Sequence, residues 1–244
     1  MTGPVLIIGA TSDIARAAAR AFAKKGHAIQ LAARDIARLE ADKADLETRF
    51  GVSVSLHQID ITAVDSHAGF LTDLPELPDI AICAVGTLGD QAVSATDPAT
   101  AATVLRTNFE GPALLLGALA NAMEARGSGT LVGISSVAGL RGRASNYVYG
   151  SAKAGFTAFL SGLRNRLAQK GVHVVTVLPG FVDTAMTEGM DLNPALTAKP
   201  EEVGTAILRA VERGRDVIYV RAIWRVIMGI ICALPERIFK KTSL

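Results

Sequence analysis

The chain has 244 residues, of which 50% are hydrophobic and 20% are charged, and its formal net charge is +2. That length suits one large domain or two small ones, and the hydrophobic fraction is enough to bury a substantial core. Lysine and arginine are spread along the sequence rather than clustered, which argues against a nucleic-acid partner.

Cysteine and histidine usage argues against disulfides and metal sites. Cys83 and Cys232 are far apart and lie in apolar runs, so we expect two buried thiols in a reducing cytoplasm. The four histidines are scattered without the paired spacing of metal ligands, so no metal site is predicted. No signal peptide is apparent, which fits a cytoplasmic protein.

Short apolar runs alternate with longer helical segments along the chain. The predicted strands are 5–9, 28–34, 52–60, 80–86, 130–135, 173–178 and 216–220. The predicted helices are 12–25, 35–50, 98–126, 148–170 and 201–213. Strands that are apolar along their whole length are typical of a parallel sheet covered by helices on both faces. We therefore predict a single doubly wound α/β domain with a seven-stranded, mostly parallel sheet.

The first predicted strand ends in the turn GATSDIA, residues 9–15, at the edge where such folds bind ligands. Backbone N–H groups at the start of a helix attract phosphate, and small residues allow it to approach. On that interpretation Gly9, Thr11, Ser12, Asp13 and Ile14 bind a cofactor phosphate, and the Asp13 carboxylate braces the loop while turned away from it. The alternative is an ordinary turn in which Ser12 or Asp13 caps a helix.

Charged residues follow the second and third predicted strands. Arg34 lies where a carboxylate would hold a ribose 2′-hydroxyl and an arginine would accommodate a 2′-phosphate, which favours NADP over NAD. Asp35 follows directly, and we expect it to face the N-terminus of its own helix. Asp60, with Ile61 beside it, is a candidate for contact with the adenine; the alternative is that Asp60 caps a helix.

The most informative motif is NYVYGSAKAG, residues 146–155. Tyr149 and Lys153 are four residues apart, so on a helix they share one face. A nearby ammonium favours the phenolate and lowers the tyrosine pKa from about 10 toward the range useful for acid–base catalysis. Ser136 lies just after the fifth predicted strand, where its hydroxyl can help to hold a substrate oxygen.

These motifs resemble the short-chain dehydrogenase/reductase family over essentially the whole chain. The resemblance implies a Rossmann-type catalytic domain over residues 1–220, which reduces a carbonyl to a secondary alcohol with NADPH. It implies that Tyr149 is the general acid or base, and that Lys153 lowers its pKa and binds the nicotinamide ribose. Ser136 would hydrogen-bond the substrate carbonyl. Asn108, in LRTNFEGP, would hold a water molecule in the proton relay.

The same resemblance assigns cofactor contacts after two further strands. In LPGFVDT, residues 178–184, Val182 and Thr184 would meet the nicotinamide carboxamide. In CAVG, residues 83–86, the family's asparagine side chains are absent, although the backbone at Ala84 can still line the adenosine site. Asp13 replaces a glycine of the family's first turn, which is the more serious departure because the position requires a suitable backbone conformation.

The departures narrow the resemblance to one subgroup. GATSDIA, AICAVGTLGD, ASNYVYGSAKAG and the tail IWRVIMGIICALPERIFKK are similar to the subgroup that contains a decaprenylphosphoryl-2-keto-pentose reductase. That likeness implies a lipid-linked keto-sugar as the substrate. Two alternatives stay open: a reductase of a small soluble carbonyl whose tail serves in assembly, and a nucleotide-binding relative without catalysis.

The C-terminal tail, residues 221–244, is apolar and ends in basic residues. Its uncharged run, residues 226–234, is far shorter than the roughly 20 residues that span a bilayer. One interpretation is an interfacial helix that contacts the inner face of the membrane through residues 221–241. The alternative is a helix packed on its own domain or on a partner subunit. The family resemblance also suggests a homodimer or homotetramer formed through the helices that carry Asn108 and Tyr149.

Overall fold

The computed structural model describes residues 3–242. Its strands are β1 (Val5–Ile8), β2 (Ile29–Ala33), β3 (Val54–Gln58), β4 (Ile80–Cys83), β5 (Gly129–Ile134), β6 (Val172–Pro179), β7 (Phe181–Val182), β8 (Thr197–Ala198) and β9 (Val217–Val220). Its α-helices are α1 (Asp13–Ala23), α2 (Glu40–Phe50), α3 (His67–Thr72), α4 (Gln91–Thr96), α5 (Pro98–Leu105), α6 (Gly111–Arg126), α7 (Tyr147–Leu167), α8 (Pro200–Glu212), α9 (Ile223–Ala233) and α10 (Glu236–Phe239). All seven predicted strands and five predicted helical segments are present.

Seven strands form one sheet in the order β3-β2-β1-β4-β5-β6-β9, and every neighbouring pair is parallel. The strand order reverses between β1 and β4, and this switch point opens a crevice at the carboxyl ends of the strands. Strands β7 and β8 pair separately from the main sheet. The predicted doubly wound, Rossmann-type fold is confirmed.

The two faces of the sheet bury separate apolar cores. In β1, Val5 and Ile7 belong to the core that α1 and α8 cover, whereas Leu6 and Ile8 belong to the core that α6 and α7 cover. All four side chains are fully buried. Successive residues of a strand point to opposite faces, so a strand covered on both faces must be apolar at every position.

The predicted helix 98–126 is interrupted by a wide turn. Between α5 and α6, residues Arg106–Glu110 form one π-helical turn that contains Asn108. Pro112 has no N–H, so the carbonyl four residues earlier, that of Asn108, lacks its ordinary α-helical donor. The missing donor accounts for the widening at this point, and π-helical turns are common at functional sites.

Helix α9, in the C-terminal tail, packs against the domain. Trp224 and Met228 are almost fully buried with Val137 and Leu178, and the Trp224 Nε1–H donates to the Leu196 carbonyl at 3.0 Å. Within residues 3–242, no helix is long and apolar enough to cross a membrane. The first two residues of the predicted domain and the last two of the predicted tail, 243 and 244, lie outside the described residues.

The two cysteines have different environments. Cys83 is buried at the end of β4, and burial raises the pKa of its thiol to about 11. Cys232 is exposed on α9, so the expectation of two buried thiols is wrong for this residue. The apolar run around Cys232 has one face on the domain and another facing outward, which a sequence run alone does not distinguish.

Candidate active site

A cleft of about 370 Å³ opens beyond the carboxyl ends of β1, β4, β5 and β6. Of the predicted site residues it brings together Thr11, Ser12, Asp13, Ile14, Ala84, Ser136, Tyr149, Lys153, Val182 and Thr184. The other predicted residues, Gly9, Arg34, Asp60, Ile61 and Asn108, do not form its wall. The cleft therefore joins the turn after β1 to the start of α7.

Tyr149 and Lys153 lie in the first two turns of α7 and both line the cleft. Lys153 is almost completely buried, and its Nζ donates to the Ile134 carbonyl at 3.1 Å. The Lys153 Nζ is 5.8 Å from the centre of the Tyr149 ring. Burial lowers the pKa of Lys153 to about 8, so the side chain is still mostly protonated at neutral pH.

Ser136 connects the end of β5 to Tyr149. Its hydroxyl accepts the Ala138 N–H at 3.1 Å, and a side-chain hydrogen bond joins it to Tyr149. Burial raises the pKa of Tyr149, and the Ser136 hydrogen bond offsets only part of that rise. The expected lowering of the Tyr149 pKa is therefore wrong, because desolvation outweighs the effect of Ser136. A raised pKa keeps Tyr149 protonated and able to donate a proton.

The neighbouring Ser135 holds α7 against β5. Its hydroxyl donates to the Lys153 carbonyl at 3.0 Å and is hydrogen-bonded to the Thr157 hydroxyl at 2.6 Å. These contacts fix the first turns of α7 relative to the strand end. Both serines line the cleft, but the Ser135 hydroxyl is engaged by α7.

Asn108 lies behind the cleft and supports it. The side chain is fully buried; its Oδ1 accepts the Thr87 N–H at 3.2 Å, and its Nδ2 donates to the Thr87 and Val104 carbonyls at 2.7 and 2.9 Å. These bonds use both amide protons, so the side chain acts as a brace for the segment after β4. A Cβ at Gly86 would lie 2.9 Å from Asn108 Oδ1 and 3.4 Å from Lys153 Nζ, so this segment requires glycine.

The turn after β1 both caps α1 and lines the cleft. Ser12 is the N-cap residue, and its hydroxyl accepts the Ala15 N–H at 3.2 Å. The N–H groups of Asp13 and Ile14 have no acceptor within residues 3–242. Gly9 has a φ of 80°, and a Cβ there would lie 2.9 Å from Val85, so the turn requires glycine. The capping and phosphate-binding interpretations are thus compatible.

Asp13 connects two distant segments at the mouth of the cleft. Its Oδ2 accepts the Ala185 N–H at 3.0 Å, and its Oδ1 is 3.9 Å from an Arg16 guanidinium nitrogen. The carboxylate therefore braces the segment after β7, although Asp13 also contributes to the cleft wall. This contact shows what the carboxylate does in place of the family's glycine.

The end of the cleft near β2 carries two arginines. Arg34 is exposed outside the wall, whereas Arg38, one turn further along, lines the cleft. Asp35 caps its own short helix, Ile36–Leu39, by accepting the Ala37 N–H at 3.1 Å, as expected. Sequence reasoning missed Arg38, because the position of the short helix Ile36–Leu39 beside the cleft depends on tertiary packing.

Asp60 and Ile61 do not reach the cleft. Asp60 Oδ1 accepts the N–H and the hydroxyl of Thr62 at 2.9 and 2.7 Å, and these hydrogen bonds lower the pKa of Asp60. The carboxylate therefore closes a turn and does not line the cleft. It does not cap a helix either, because the next helical segment, Val64–Ser66, has Ala63 as its N-cap residue. Ile61 is buried in the core on the α6 side of the sheet, so its side chain is not part of the cleft wall.

Three further lining residues are polar or aromatic. Arg143 and Asn146 precede α7. Trp224, on α9, closes another part of the wall, and its ring packs edge-on against the Phe181 ring with the ring centres 5.3 Å apart. Trp224 is the single tryptophan of the chain. Its contribution could not be recognised because the tail's position depends on tertiary packing.

The chain is similar to known oxidoreductases over most of its length. The family model for short chain dehydrogenase matches residues 4–194, which include Ser136, Tyr149 and Lys153. An uncharacterised oxidoreductase of Mycobacterium tuberculosis is 38% identical over 241 residues, 98% of this chain and 96% of that protein. A short-chain dehydrogenase from Sphingobium yanoikuyae in complex with NADPH has a TM-score of 0.81 and 26% identity, covering 96% of this chain and 97% of its own. A bulky-bulky ketone specific alcohol dehydrogenase from Comamonas testosteroni has a TM-score of 0.79 and 25% identity, with 96% and 95% covered.

Proposed function

Because this chain belongs to the short-chain dehydrogenase family and is an NAD(P)-dependent oxidoreductase, we propose that it uses NADPH to reduce a carbonyl to a secondary alcohol. One observation carries the proposal. Ser136, Tyr149 and Lys153 line the same cleft as the N-terminus of α1, so a proton donor and a phosphate-binding turn face one space.

The residues around the cleft suit a dinucleotide. The N–H groups of Asp13 and Ile14 lack acceptors in the described chain and lie at a helix N-terminus, which favours a pyrophosphate. Val182 and Thr184 would meet the nicotinamide, and Lys153 would meet its ribose. A 2′-phosphate would fit beside the arginines near β2. When bound, the nicotinamide supplies the hydride.

The protein's own groups would orient the substrate and deliver the proton. The Ser136 hydroxyl would donate to the substrate oxygen, and the Tyr149 hydroxyl would give that oxygen its proton. The raised pKa of Tyr149 keeps it in the protonated form that reduction consumes. As negative charge develops on Tyr149, the buried Lys153 ammonium would stabilise it across the low-dielectric site.

Replacing Tyr149 by phenylalanine tests the catalytic assignment. Tyr149→Phe should abolish NADPH-dependent turnover while NADPH binding, measured by fluorescence, survives, because only the hydroxyl is lost. Tyr147→Phe is the matched control, since Tyr147 lies on the same helix but is 48% exposed and outside the cleft wall. Turnover by Tyr149→Phe at the wild-type rate would contradict the assignment.

The preference for NADPH is a second part of the proposal. Arg34 and Arg38 lie at the same end of the cleft, and only Arg38 lines it. Arg34→Asp and Arg38→Ser should each shift the ratio of kcat/KM for NADPH and NADH toward NADH, because an arginine that neutralises the 2′-phosphate is lost. An unchanged ratio in both variants would overturn the preference.

We extend the proposal to a lipid-linked keto-sugar as substrate. The apolar rim of the cleft supports it: Phe181, Met186 and Met190 are exposed near the mouth, and Trp224 forms part of the wall. NADPH oxidation with a decaprenylphosphoryl-2-keto-pentose tests it. Turnover only with small soluble ketones would favour the first alternative, and NADPH binding without turnover on either class would favour a relative without catalysis.

The outward face of α9 fits an anionic membrane surface. Ile223, Val226 and Ile230 are exposed on it, with Ile230 62% exposed. The basic residues of the tail accompany this face: Arg225, Arg237, Lys240 and Lys241. Apolar side chains flanked by basic ones are typical of helices that lie in the interface of acidic bilayers. We propose that this face binds such a surface peripherally.

Co-sedimentation with phosphatidylcholine vesicles, with and without phosphatidylglycerol, tests the membrane contact. Point variants are preferable to deletion of the tail, because Trp224 is part of the cleft wall. The double variant Val226→Glu, Ile230→Glu should lose binding to the acidic vesicles. Val64→Glu, at an exposed valine elsewhere, is the control. If the wild type does not bind the vesicles and the double variant changes the oligomeric state, the face would instead contact a second copy of this chain.

We also propose a homodimer or homotetramer formed through α5, α6 and α7. Leu105, Phe109 and Leu114 are exposed on this side of the domain, and Leu114 is 49% exposed. Large apolar side chains grouped on long helices suit a subunit interface. Light scattering measures the mass; a monomer at micromolar concentration would contradict the proposal.

A further inference from the structure

The segment between β5 and α7 brings an arginine to the substrate end of the cleft. Arg143 and Asn146 lie in this segment, and both line the cleft with Tyr149. Tyr149 belongs to the first turn of α7, so Arg143 approaches the space where the carbonyl would be reduced. None of the proposed cofactor contacts uses Arg143.

Arg143 has no acidic partner within residues 3–242. Its Nε is buried and makes no hydrogen bond there, and burial lowers the pKa of the guanidinium. Arg141, two residues earlier, is different: it pairs with Glu236 at 2.7 Å and lies over the Phe239 ring at 4.2 Å. A partly desolvated guanidinium without a counter-ion is costly, so Arg143 is poorly explained as a structural residue.

The other charges of the cleft leave Arg143 unneutralised. Asp13 is the carboxylate in the described cleft wall, and it is engaged by the Ala185 N–H. The remaining charged lining residues are cations: Arg16, which pairs with Asp42 at 3.0 Å, and then Arg38 and Lys153. No carboxylate of the described cleft wall is therefore left to neutralise Arg143.

Two features beside Arg143 add to the preference for a polar, anionic group. The N-terminus of α7 starts at Tyr147 without a cap from its own N-cap residue, although Gln91 Oε1 accepts the Val148 N–H at 3.0 Å, and helix N-termini favour negative charge. Asn146 Oδ1 is buried and accepts no hydrogen bond from residues 3–242. A substrate that carries an oxyanion and a nearby hydroxyl would satisfy the guanidinium and the amide oxygen together.

We propose that Arg143 is a substrate-binding residue that selects carbonyl compounds carrying an oxyanion, either a carboxylate or a phosphate ester. The inference rests on the proposed carbonyl reduction and specifies its substrate class. Arg143 binds the oxyanion as a planar, multiply donating group, and thereby orients the carbonyl toward Ser136 and Tyr149. The selection acts on binding and orientation rather than on the proton transfer itself.

Matched pairs of substrates test the selection with NADPH. One pair is levulinate and methyl levulinate, which differ in a carboxylate; the other is dihydroxyacetone phosphate and dihydroxyacetone, which differ in a phosphate. The wild-type kcat/KM should favour the anionic member of at least one pair, and the pair that shows it identifies the oxyanion. Arg143→Gln should reduce that preference by at least about tenfold and leave the neutral substrates within about twofold.

Two further variants separate the role of Arg143 from general damage. Arg143→Lys keeps the charge but not the planar fork, so it should recover part of the anion preference. Arg213→Gln removes an exposed arginine outside the cleft wall and should change nothing. Equal preferences in wild type and Arg143→Gln would overturn the inference.

Binding to the NADP⁺-loaded protein provides a readout that does not depend on turnover. Trp224 is the single tryptophan and lines the cleft, so its fluorescence reports on occupancy. If the wild type binds levulinate or dihydroxyacetone phosphate and Arg143→Gln does not, the inference is supported, even if neither compound is reduced. Absence of reduction would then count against the proposed reductase activity alone. Reduction of neutral ketones without Arg143-dependent anion binding would overturn the inference and leave the reductase standing.

Discussion

Replacing Lys153 by methionine should stabilise the protein at neutral pH while removing its activity. Lys153 is almost completely buried, and the Ile134 carbonyl is its hydrogen-bond partner. Burial lowers its pKa from 10.5 to about 8, so the folded protein holds this proton less tightly than the unfolded chain does. Keeping the ammonium charged below pH 8 therefore costs stability, and the cost falls as the pH rises from 8 toward 10.5.

The size of the effect follows from the pKa difference. A change from 10.5 to about 8 corresponds to a cost of roughly 3 kcal/mol below pH 8. Methionine preserves much of the side-chain volume but leaves the Ile134 carbonyl without its donor, which costs about 1–3 kcal/mol. The net gain at neutral pH is thus at most about 2 kcal/mol. The cost of the lost hydrogen bond does not change with pH. Between about pH 6.5 and about pH 9.5, the free energy of unfolding of the wild type should therefore rise by about 2 kcal/mol relative to that of Lys153→Met.

Urea unfolding of both proteins at about pH 6.5 and about pH 9.5 measures this change. Lys24→Met, at an exposed lysine, is the control and should show no comparable pH dependence relative to wild type. Since other titrating groups are common to all three proteins, their contributions cancel in the differences. A wild-type-minus-Lys153→Met difference that stays constant within about 0.5 kcal/mol between the two pH values would refute the reasoning.

Two further substitutions probe the supports of the cleft. Gly86→Ala places a Cβ 2.9 Å from Asn108 Oδ1, so it should lower the free energy of unfolding by about 1–3 kcal/mol and reduce turnover. The control is Gly69→Ala, in a helix where the added Cβ meets open space. Equal stability of the two variants would contradict the prediction. Asp13→Ala removes the acceptor of the Ala185 N–H and should speed hydrogen exchange of that amide about tenfold by mass spectrometry; unchanged exchange would show that the bond is not formed in solution.

The sequence was sufficient for the fold and for part of the candidate site. Alternating apolar strands and capped helices are local patterns, and burial on both faces makes the strands of a parallel sheet apolar throughout. Tyr149 and Lys153 share a helix face by their spacing alone, and Ser136 follows a strand end. These features depend on residues close together in the chain, which is why the pattern predicted them.

The pKa values and hydrogen-bond partners of the site's side chains depended on how the protein packs around them. The pKa of Tyr149 is raised rather than lowered because desolvation outweighs the hydrogen bond from Ser136, and burial is a property of the packed protein. The side chain of Asn108 is occupied by Thr87 and Val104. The helix around Asn108 is widened where Pro112 removes a hydrogen-bond donor. The proline is visible in the sequence, but the widening was recognised only in the structure.

The wall of the cleft was decided by contacts between segments far apart in the chain. Asp13 meets Ala185 across 172 positions. Trp224 reaches the wall because α9 folds back on the domain, and Arg38 rather than Arg34 lines the cleft near β2. By itself the sequence determined the doubly wound fold, the helical pair of Tyr149 and Lys153, and the turn after β1, because each is encoded in neighbouring residues. Only the tertiary structure decided which side chains share one space and how strongly each is desolvated, because both follow from packing between distant elements.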